Sequence, residues 1–193
     1  DAHPRPRQRI LDGPAARRYR AFISYNSRDV AVAKWLHRSI ESFRVPKALL
    51  TPQLTARLVS GRLAPVFMDR EDMTSASDLG ESIRSTLEDS DYLVVVCSPG
   101  AAQSRWVEEE VRYFQSLGRS RNILCLIVDG EPGGGPRRDA ALECFPPSLR
   151  GREPVAADLR RHADGRYNGK LRLLAGLLEV KFDDLRRREL HRR

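Results

Sequence analysis

Cysteine is scarce in this sequence, with three among 193 residues. Three cysteines cannot form a closed set of disulfides, and Cys97 and Cys125 lie inside apolar runs, which favours a reducing, cytoplasmic setting. No apolar run reaches the roughly 18 residues that a membrane span needs, and no secretory signal opens the chain. The sequence therefore predicts an ordinary soluble, globular protein of the cytoplasm.

Signatures of bound metals and of phosphate loops are missing as well. No cysteine has a cysteine or histidine partner at a zinc-site spacing, and the four histidines are scattered. The glycine-rich stretch 131–136 lacks the Lys-Ser/Thr pair that follows the glycines of a phosphate-binding loop. We therefore expect no metal and no cofactor, and we give the glycine-rich stretch no nucleotide role.

Positive charge is concentrated at the two ends of the chain, although the formal net charge is +8. Residues 1–20 carry +4 and residues 181–193 carry +3, which leaves +1 of that total for the body between them. A basic stripe on the folded surface is not indicated, and we expect no specific nucleic-acid partner. Residues 1–18 are predicted to be a basic, flexible segment, and residues 19–193 a single domain.

Short apolar strands and amphipathic helices alternate along the body of the chain. Strands are expected at residues 20–25, 63–67, 92–97 and 122–128, with a short fifth strand opening at 154. Helices are expected after a cap at Asp29, over an apolar stripe between 79 and 87, over 104–117, and from about 169 to the end. This alternation is typical of βαβ units and predicts an α/β fold with a central parallel sheet.

The stretch 97–111 joins the third of these strands to a helix. Ser104 is the expected N-cap, and an apolar stripe at i, i+4 and i+7 is formed by Val107, Val111 and Phe114. Trp106 and Glu110 are four residues apart on the adjoining face, just past the carboxyl end of the strand, where open α/β sheets bind ligands. On spacing alone, a solvated helix carboxylate is the more frequent role for such a glutamate.

Three boxes along the chain resemble the Toll/interleukin-1 receptor (TIR) domain family, in the order that the family has them. Residues 22–29 (FISYNSRD) resemble its first box, and residues 67–71 (FMDRE) resemble its second strand and BB loop. Residues 98–110, which contain Trp106 and Glu110, resemble its third strand and the helix that bears the family's catalytic glutamate. The resemblance covers roughly residues 19–185 and is nearest to bacterial TIR domains.

A TIR resemblance implies a flavodoxin-like three-layer sandwich, in which helices cover both faces of a five-stranded parallel sheet. It also implies an NAD⁺ glycohydrolase that cleaves the nicotinamide–ribose bond and releases ADP-ribose or a cyclic isomer, with NAD⁺ as substrate. Activity is then expected to depend on homotypic TIR–TIR assembly, in bacterial signalling or defence. In a longer chain, a membrane segment or repeats are expected to follow such a domain.

The resemblance also assigns roles to individual side chains. Glu110 takes the catalytic position four residues after the tryptophan, and Arg28 is the natural partner of a phosphate. The other residues placed at the substrate are Tyr25, Asn26, Ser27, Asp69, Arg70, Glu71, Ser98 and Trp106. Glu108 and Glu109 directly precede Glu110, so the choice of Glu110 depends on helical phase. For Arg28 and Glu71, an ordinary surface charge is an equally frequent role.

Two other classes of protein share this sequence pattern. A non-catalytic TIR domain would use the BB loop and the helices only to assemble with other TIR domains, and the presence of Trp106 and Glu110 argues against it without excluding it. A phospho-receiver on the same sheet needs an acidic pair after the first strand and an aspartate after the third. The sequence has Asn26-Ser27 and Ser98-Pro99 at those points, which rules out the receiver.

Overall fold

Five strands in the described part of the chain form one parallel sheet. The structure is a computed structural model that describes residues 16–68, 79–152 and 154–192. The strands are β1 (Tyr19–Ser24), β2 (Val66–Met68), β3 (Ser90–Cys97), β4 (Ile123–Ile127) and β5 (Val155–Asp158). Their spatial order is β2-β1-β3-β4-β5, and every neighbouring pair is parallel. This order is that of flavodoxin-like folds, so the predicted fold class is confirmed.

Helices cover both faces of the sheet. They are α1 (Val30–Ser42), α2 (Pro52–Ala56), α3 (Glu81–Glu88), α4 (Pro99–Ala102), α5 (Arg105–Ser116), α6 (Gly165–Leu178) and α7 (Phe182–Leu190). Single 3₁₀ turns lie at Ser27–Asp29, Lys47–Leu49, Ser120–Asn122, Pro132–Gly134 and Pro147–Leu149. Among the helices described here, none has the length and apolar character to cross a membrane.

The side chains of the central strand, β3, point alternately to the two faces of the sheet, and the core is therefore divided into two halves. Leu93, Val95 and Cys97 of β3 pack with α3 and α5, whereas Val94 and Val96 pack with α1 and α6. Successive side chains of a strand point to opposite faces of the sheet, so each face needs its own apolar cover. The result is the predicted sandwich of three layers, with a core on each side of the sheet.

The sequence predicts one last helix from about 169 to the end, and the prediction that this helix is continuous is wrong. The structure has two helices there, α6 and α7, and the first of them begins at Gly165. Glu179 ends α6 in the left-handed conformation at φ 57°, and the N–H of Val180 donates to the carbonyl of Ala175 at 3.0 Å. This is a helix-ending motif that glycine usually supplies, so the sequence carried no warning of it.

The second strand lies later in the chain than the predicted 63–67. It begins at Val66, because Pro65 has no N–H to contribute to a ladder. The carbonyl of Pro65 still accepts a hydrogen bond from the N–H of Arg20 at 2.9 Å, and Leu63 is buried in the core although it belongs to no strand. The apolar residues at 63–65 therefore indicate that Leu63 is buried, but they do not indicate a strand there.

The first described residues pack on the body of the domain. The N–H of Arg18 donates to Asp89 Oδ1 at 2.8 Å, and the Arg17 guanidinium lies 3.6 Å from the carboxylate of Asp91. Residues 1–15 lie outside the described residues. The boundary predicted after residue 18 therefore stays a prediction.

Candidate active site

The candidate site lies at the carboxyl edge of the sheet, between β1 and β3. Ser24 ends β1 opposite Val95, and β3 continues for two more residues to Cys97. The chain moves from β1 to one side of the sheet to form β2 and to the other side to form β3, so the order of strands reverses here. Such a reversal opens the crevice in which flavodoxin-like folds bind their ligands.

Glu110 is a buried carboxylate below this crevice. Helix α5 begins after Ser104, whose Oγ accepts a hydrogen bond from the N–H of Val107 at 3.3 Å, as an N-cap does. Val107 and Val111 pack into the core half on this face of the sheet. Glu110 lies next to Val111 in the helix and is 7% exposed. The hydroxyl of Ser24, at the end of β1, donates a hydrogen bond to Glu110 Oε2.

The three consecutive glutamates have three different surroundings. Glu108 accepts hydrogen bonds from the N–H and the hydroxyl of Ser148, with the N–H at 3.1 Å, and so holds the 3₁₀ turn that contains this serine. Glu109 pairs with Arg105 one turn earlier in the helix, at 2.7 Å. Of the three, Glu110 is the one that meets the end of β1, which agrees with the phase expected from the sequence.

Trp106 lies one turn before Glu110 on the same helix. Its indole is half-buried and packs against the core half that contains Val107 and Val111. The guanidinium of Arg105 lies over the indole, 6.0 Å from the ring centroid. An indole in this place supplies an apolar wall beside a buried carboxylate.

The loop after β1 carries four of the predicted substrate-binding residues. Asn26 Oδ1 accepts a hydrogen bond from the N–H of Arg28 at 3.1 Å and caps a 3₁₀ turn, which leaves Ser27 and Arg28 exposed. Tyr25 is half-buried and packs against the core half on the opposite face of the sheet from Glu110. Arg28 is therefore accessible to a ligand.

The loops after β1 and β3 contact each other closely. A Cβ added at Gly100 would lie 2.9 Å from Asn26 Oδ1, so the Asn26 side chain would have to shift to admit it. Ser98, which is 3% exposed, donates its hydroxyl proton to Asp29 Oδ2 and accepts from the N–H of Ala101 at 3.1 Å. The hydroxyl of Ser98, which is predicted to bind substrate, thus makes its hydrogen bonds to Asp29 and Ala101 of the protein.

The sequence predicts that the Asp29 side chain caps α1, but the structure shows no such hydrogen bond. The carboxylate of Asp29 lies against Ser98 instead. Burial raises the pKa of Asp29, the hydrogen bond from Ser98 opposes that rise, and the negative charge of Asp129 adds to it. Asp29 and Ser98 therefore form a polar contact between the two loops that sequence reasoning missed.

Ser24 is the other functional candidate that the sequence did not single out. Its signals in the sequence were a hydroxyl at the end of the apolar run 21–23 and its place in the first box, residues 22–29. Asp69, Arg70 and Glu71 lie outside the described residues, and their predicted place at the substrate stays a prediction. Within the described ranges, the structure contains no group of three or more His, Cys, Asp or Glu side chains that could hold a metal ion.

Comparison with known proteins assigns the chain to a family. A model of the TIR domain matches residues 42–172, which is well over half of the chain. A protein of Actinoplanes sp., named NAD(+) hydrolase ApTIR, is 30% identical over 185 aligned residues that cover 87% of this chain but 24% of that protein. The chain thus spans about a quarter of this relative. The TIR domains in a structure of the activated Roq1 resistosome are 18% identical, with a TM-score of 0.46 over 83% of this chain and 98% of that chain. On the match to the family model, the chain belongs to the TIR domain family, as its sequence boxes predicted.

Proposed function

We propose that this domain cleaves NAD⁺ at the bond between nicotinamide and ribose. The observation that carries the proposal is Glu110, a buried carboxylate held by Ser24 at the switch point of the sheet. A relative that aligns with most of this chain is named an NAD⁺ hydrolase, which supports the same reaction here. The products are nicotinamide and either ADP-ribose or a cyclic isomer.

The chemistry suits a single carboxylate. Nicotinamide departs as a neutral pyridine, so no general acid is required to protonate it. The ribose then develops positive charge in an oxocarbenium-like transition state, and a negative charge fixed nearby lowers the barrier. Glu110 is shielded from water, which strengthens its interaction with that positive charge. The nucleophile that then adds to the cation decides the product. Water gives ADP-ribose with release of a proton, and an atom of the same nucleotide gives a cyclic isomer.

The other binding residues that we propose lie on the loop after β1 and on α5. Arg28 is exposed on the loop after β1 and suits a phosphate of NAD⁺. Asn26 and Ser27 lie in the same loop, and Trp106 walls the crevice on the α5 side. For Ser98 we propose a change of role, because its hydroxyl already serves Asp29 and Ala101 and so shapes the loop.

We further propose that activity rises with self-association of the domain. The support is the family resemblance, in which a BB loop of a neighbouring copy completes the site. Asp69, Arg70 and Glu71 belong to that loop in this chain, and they are proposed to act at the substrate from it. The rate of NAD⁺ cleavage per molecule is then expected to increase with protein concentration and with a crowding agent.

The decisive experiment compares two neighbouring glutamates. Glu110→Gln removes the charge and keeps the shape, and we expect NAD⁺ cleavage to fall by a factor of about 10²–10³. Glu109→Gln is the matched control, because Glu109 pairs with Arg105 on the surface of the same helix, and its activity should stay near that of the wild type. Nicotinamide release is followed by chromatography over a series of protein concentrations, and circular dichroism confirms folding.

Two results would contradict the proposal. Loss of activity in Glu109→Gln with activity retained in Glu110→Gln would show that Glu109, and not Glu110, is the catalytic residue. A folded wild-type domain that leaves NAD⁺ intact at every concentration would favour the non-catalytic TIR–TIR interaction module. A rate per molecule that does not change with concentration would contradict the proposed role of self-association and leave the proposed NAD⁺ cleavage unaffected.

A further inference from the structure

We propose that Ser24 is the positioning residue for the catalytic carboxylate, which rests on the proposed NAD⁺ cleavage. The hydroxyl of Ser24 donates to Glu110 Oε2, across 86 residues of sequence and between two different layers of the fold. Ser24 is 1% exposed and is the last residue of β1. It lies beneath the crevice and acts on the substrate through Glu110.

Strand geometry explains why Ser24 meets α5. Phe22, two residues earlier in β1, packs in the core half formed with α5, and residues two apart in a strand share a face. Apart from Arg20 near the amino end of β1, the other buried strand residues on this face are apolar or cysteine, and they are Leu93, Val95, Cys97, Ile123, Cys125 and Ile127. A hydroxyl is thus placed in an apolar setting, where it is costly without a hydrogen-bond partner.

The partner that satisfies this hydroxyl is the group on which the reaction depends. A glutamate side chain has three rotatable torsions, and a hydrogen bond at one carboxylate oxygen restricts them. A hydroxyl proton directed at a carboxylate also stabilises its negative charge more than a neutral hydrogen bond would. Ser24 therefore both orients Glu110 and supports the charge that faces the developing cation.

A second buried serine provides a matched control. Ser90 opens β3 at the amino edge of the sheet, is 0% exposed, and donates its hydroxyl to the carbonyl of Thr86 at 2.7 Å. Each serine is therefore a buried strand residue that makes one hydroxyl hydrogen bond of its own. The two differ in the acceptor, which is the backbone for Ser90 and the proposed catalytic carboxylate for Ser24.

The experiment measures kcat and KM for NAD⁺ in Ser24→Ala, Ser24→Thr and Ser90→Ala. We expect Ser24→Ala to lower kcat at least about tenfold, which equals about 1.4 kcal/mol of barrier, with KM changed less than about twofold. Ser24→Thr keeps the hydroxyl on a residue that strands accept and should recover most of the loss. Ser90→Ala should lose a comparable amount of thermal stability and keep kcat.

Three kinetic outcomes would overturn the proposal. They are an unchanged kcat in Ser24→Ala, an equal loss of kcat in Ser90→Ala, and a Ser24→Thr variant no better than Ser24→Ala. Melting of Ser24→Ala, Glu110→Ala and the double variant then tests the contact without any turnover. Effects that fail to add show that the two side chains interact, and purely additive effects overturn the contact. A wild type without NAD⁺ cleavage refutes the proposed function, while the melting cycle still decides whether Ser24 holds Glu110.

Discussion

The two edges of the sheet use their polar side chains largely in different ways. At the amino edge, the guanidinium of Arg119 donates to the backbone carbonyls of Leu87, Glu88 and Ser90, where α3 ends and β3 begins. Asn122 donates to the carbonyl of Asp91 nearby at 2.8 Å. The acceptors in these contacts are main-chain carbonyls at the ends of elements, and the same edge also holds one ion pair between side chains, Arg20–Asp91 at 2.8 Å.

At the carboxyl edge, side chains pair with other side chains. Ser24 donates to Glu110, and Ser98 donates to Asp29. Neither contact is needed to complete the backbone hydrogen bonding of a helix or a strand. A buried polar pair that the fold does not require calls for another explanation, and at a sheet switch point the natural explanation is a ligand.

Arg160 shows that a polar side-chain contact at the carboxyl edge does not by itself indicate a ligand site. Its guanidinium binds the carboxylates of Asp158 and Glu131 and the carbonyl of Gly130, and so ties the loop after β4 to the end of β5. Burial works against ionisation of Asp158, but the hydrogen bonds from Arg160 outweigh it and lower the pKa of Asp158. In this cluster one guanidinium binds two carboxylates, and the contact holds two loops of the fold together.

The largest effect on stability is expected at the amino edge. Arg119→Ala removes three charge-assisted hydrogen bonds to backbone carbonyls and the stacking of the guanidinium on Phe114 at 4.7 Å. We expect the free energy of unfolding to drop by about 2–3 kcal/mol, with kcat unchanged in the folded fraction. Urea unfolding and NAD⁺ turnover are the measurements.

Arg112→Ala is the control for that variant, because Arg112 is exposed on the neighbouring helix α5. Its unfolding free energy should stay within about 0.5 kcal/mol of the wild type. If Arg119→Ala lowers kcat as strongly as it lowers stability, the division of the molecule into a structural edge and a catalytic edge fails.

A smaller, pH-dependent effect is expected at Tyr92, near the amino end of β3. Burial, the hydrogen bond to Glu179 and the negative charge of Glu179 raise the pKa of Tyr92 to about 12. The neutral phenol is favoured in the folded state, so its contribution is complete below the unfolded pKa of about 10 and is lost as pH rises to about 12. Over that window the wild type should lose about 1–2 kcal/mol relative to Tyr92→Phe, because solvent screening reduces the full effect of the shift.

The measurement is the difference in unfolding free energy between the wild type and Tyr92→Phe at several pH values from 9 to 12. Other groups titrate in both proteins and cancel in the difference. A difference that stays constant across this range would show that the Tyr92–Glu179 hydrogen bond does not hold the phenol in its neutral form.

The smallest effect is expected from removing residues 1–17. Among described contacts, the deletion removes the Arg17–Asp91 ion pair at 3.6 Å and the carbonyl of Arg17 that the Arg20 side chain binds. A partly exposed ion pair contributes at most about 1 kcal/mol, so melting and NAD⁺ cleavage should change little. A collapse of the fold on deletion would mean that the basic segment is part of the amino edge.

Much of the fold followed from the sequence because it depends on local periodicity. Apolar runs and amphipathic stripes determined the alternation of strands and helices, and thus a parallel α/β sheet. The stripe formed by Val107 and Val111 also determined the phase of α5, and with it the inward position of Glu110 rather than Glu109. These features need only the regular geometry of one element, which the order of its residues contains.

Tertiary structure alone decided the contacts between distant residues. Ser24 and Glu110 lie 86 positions apart, and no local pattern states which strand end faces which helix. Ser98 was predicted to bind substrate, and only the approach of the two loops showed that it bonds Asp29. At the break after α6, the left-handed Glu179 likewise contacts distant residues, Tyr92 and Arg57. Periodicity sets which side chains turn inward, whereas the order and register of the strands set which of them meet.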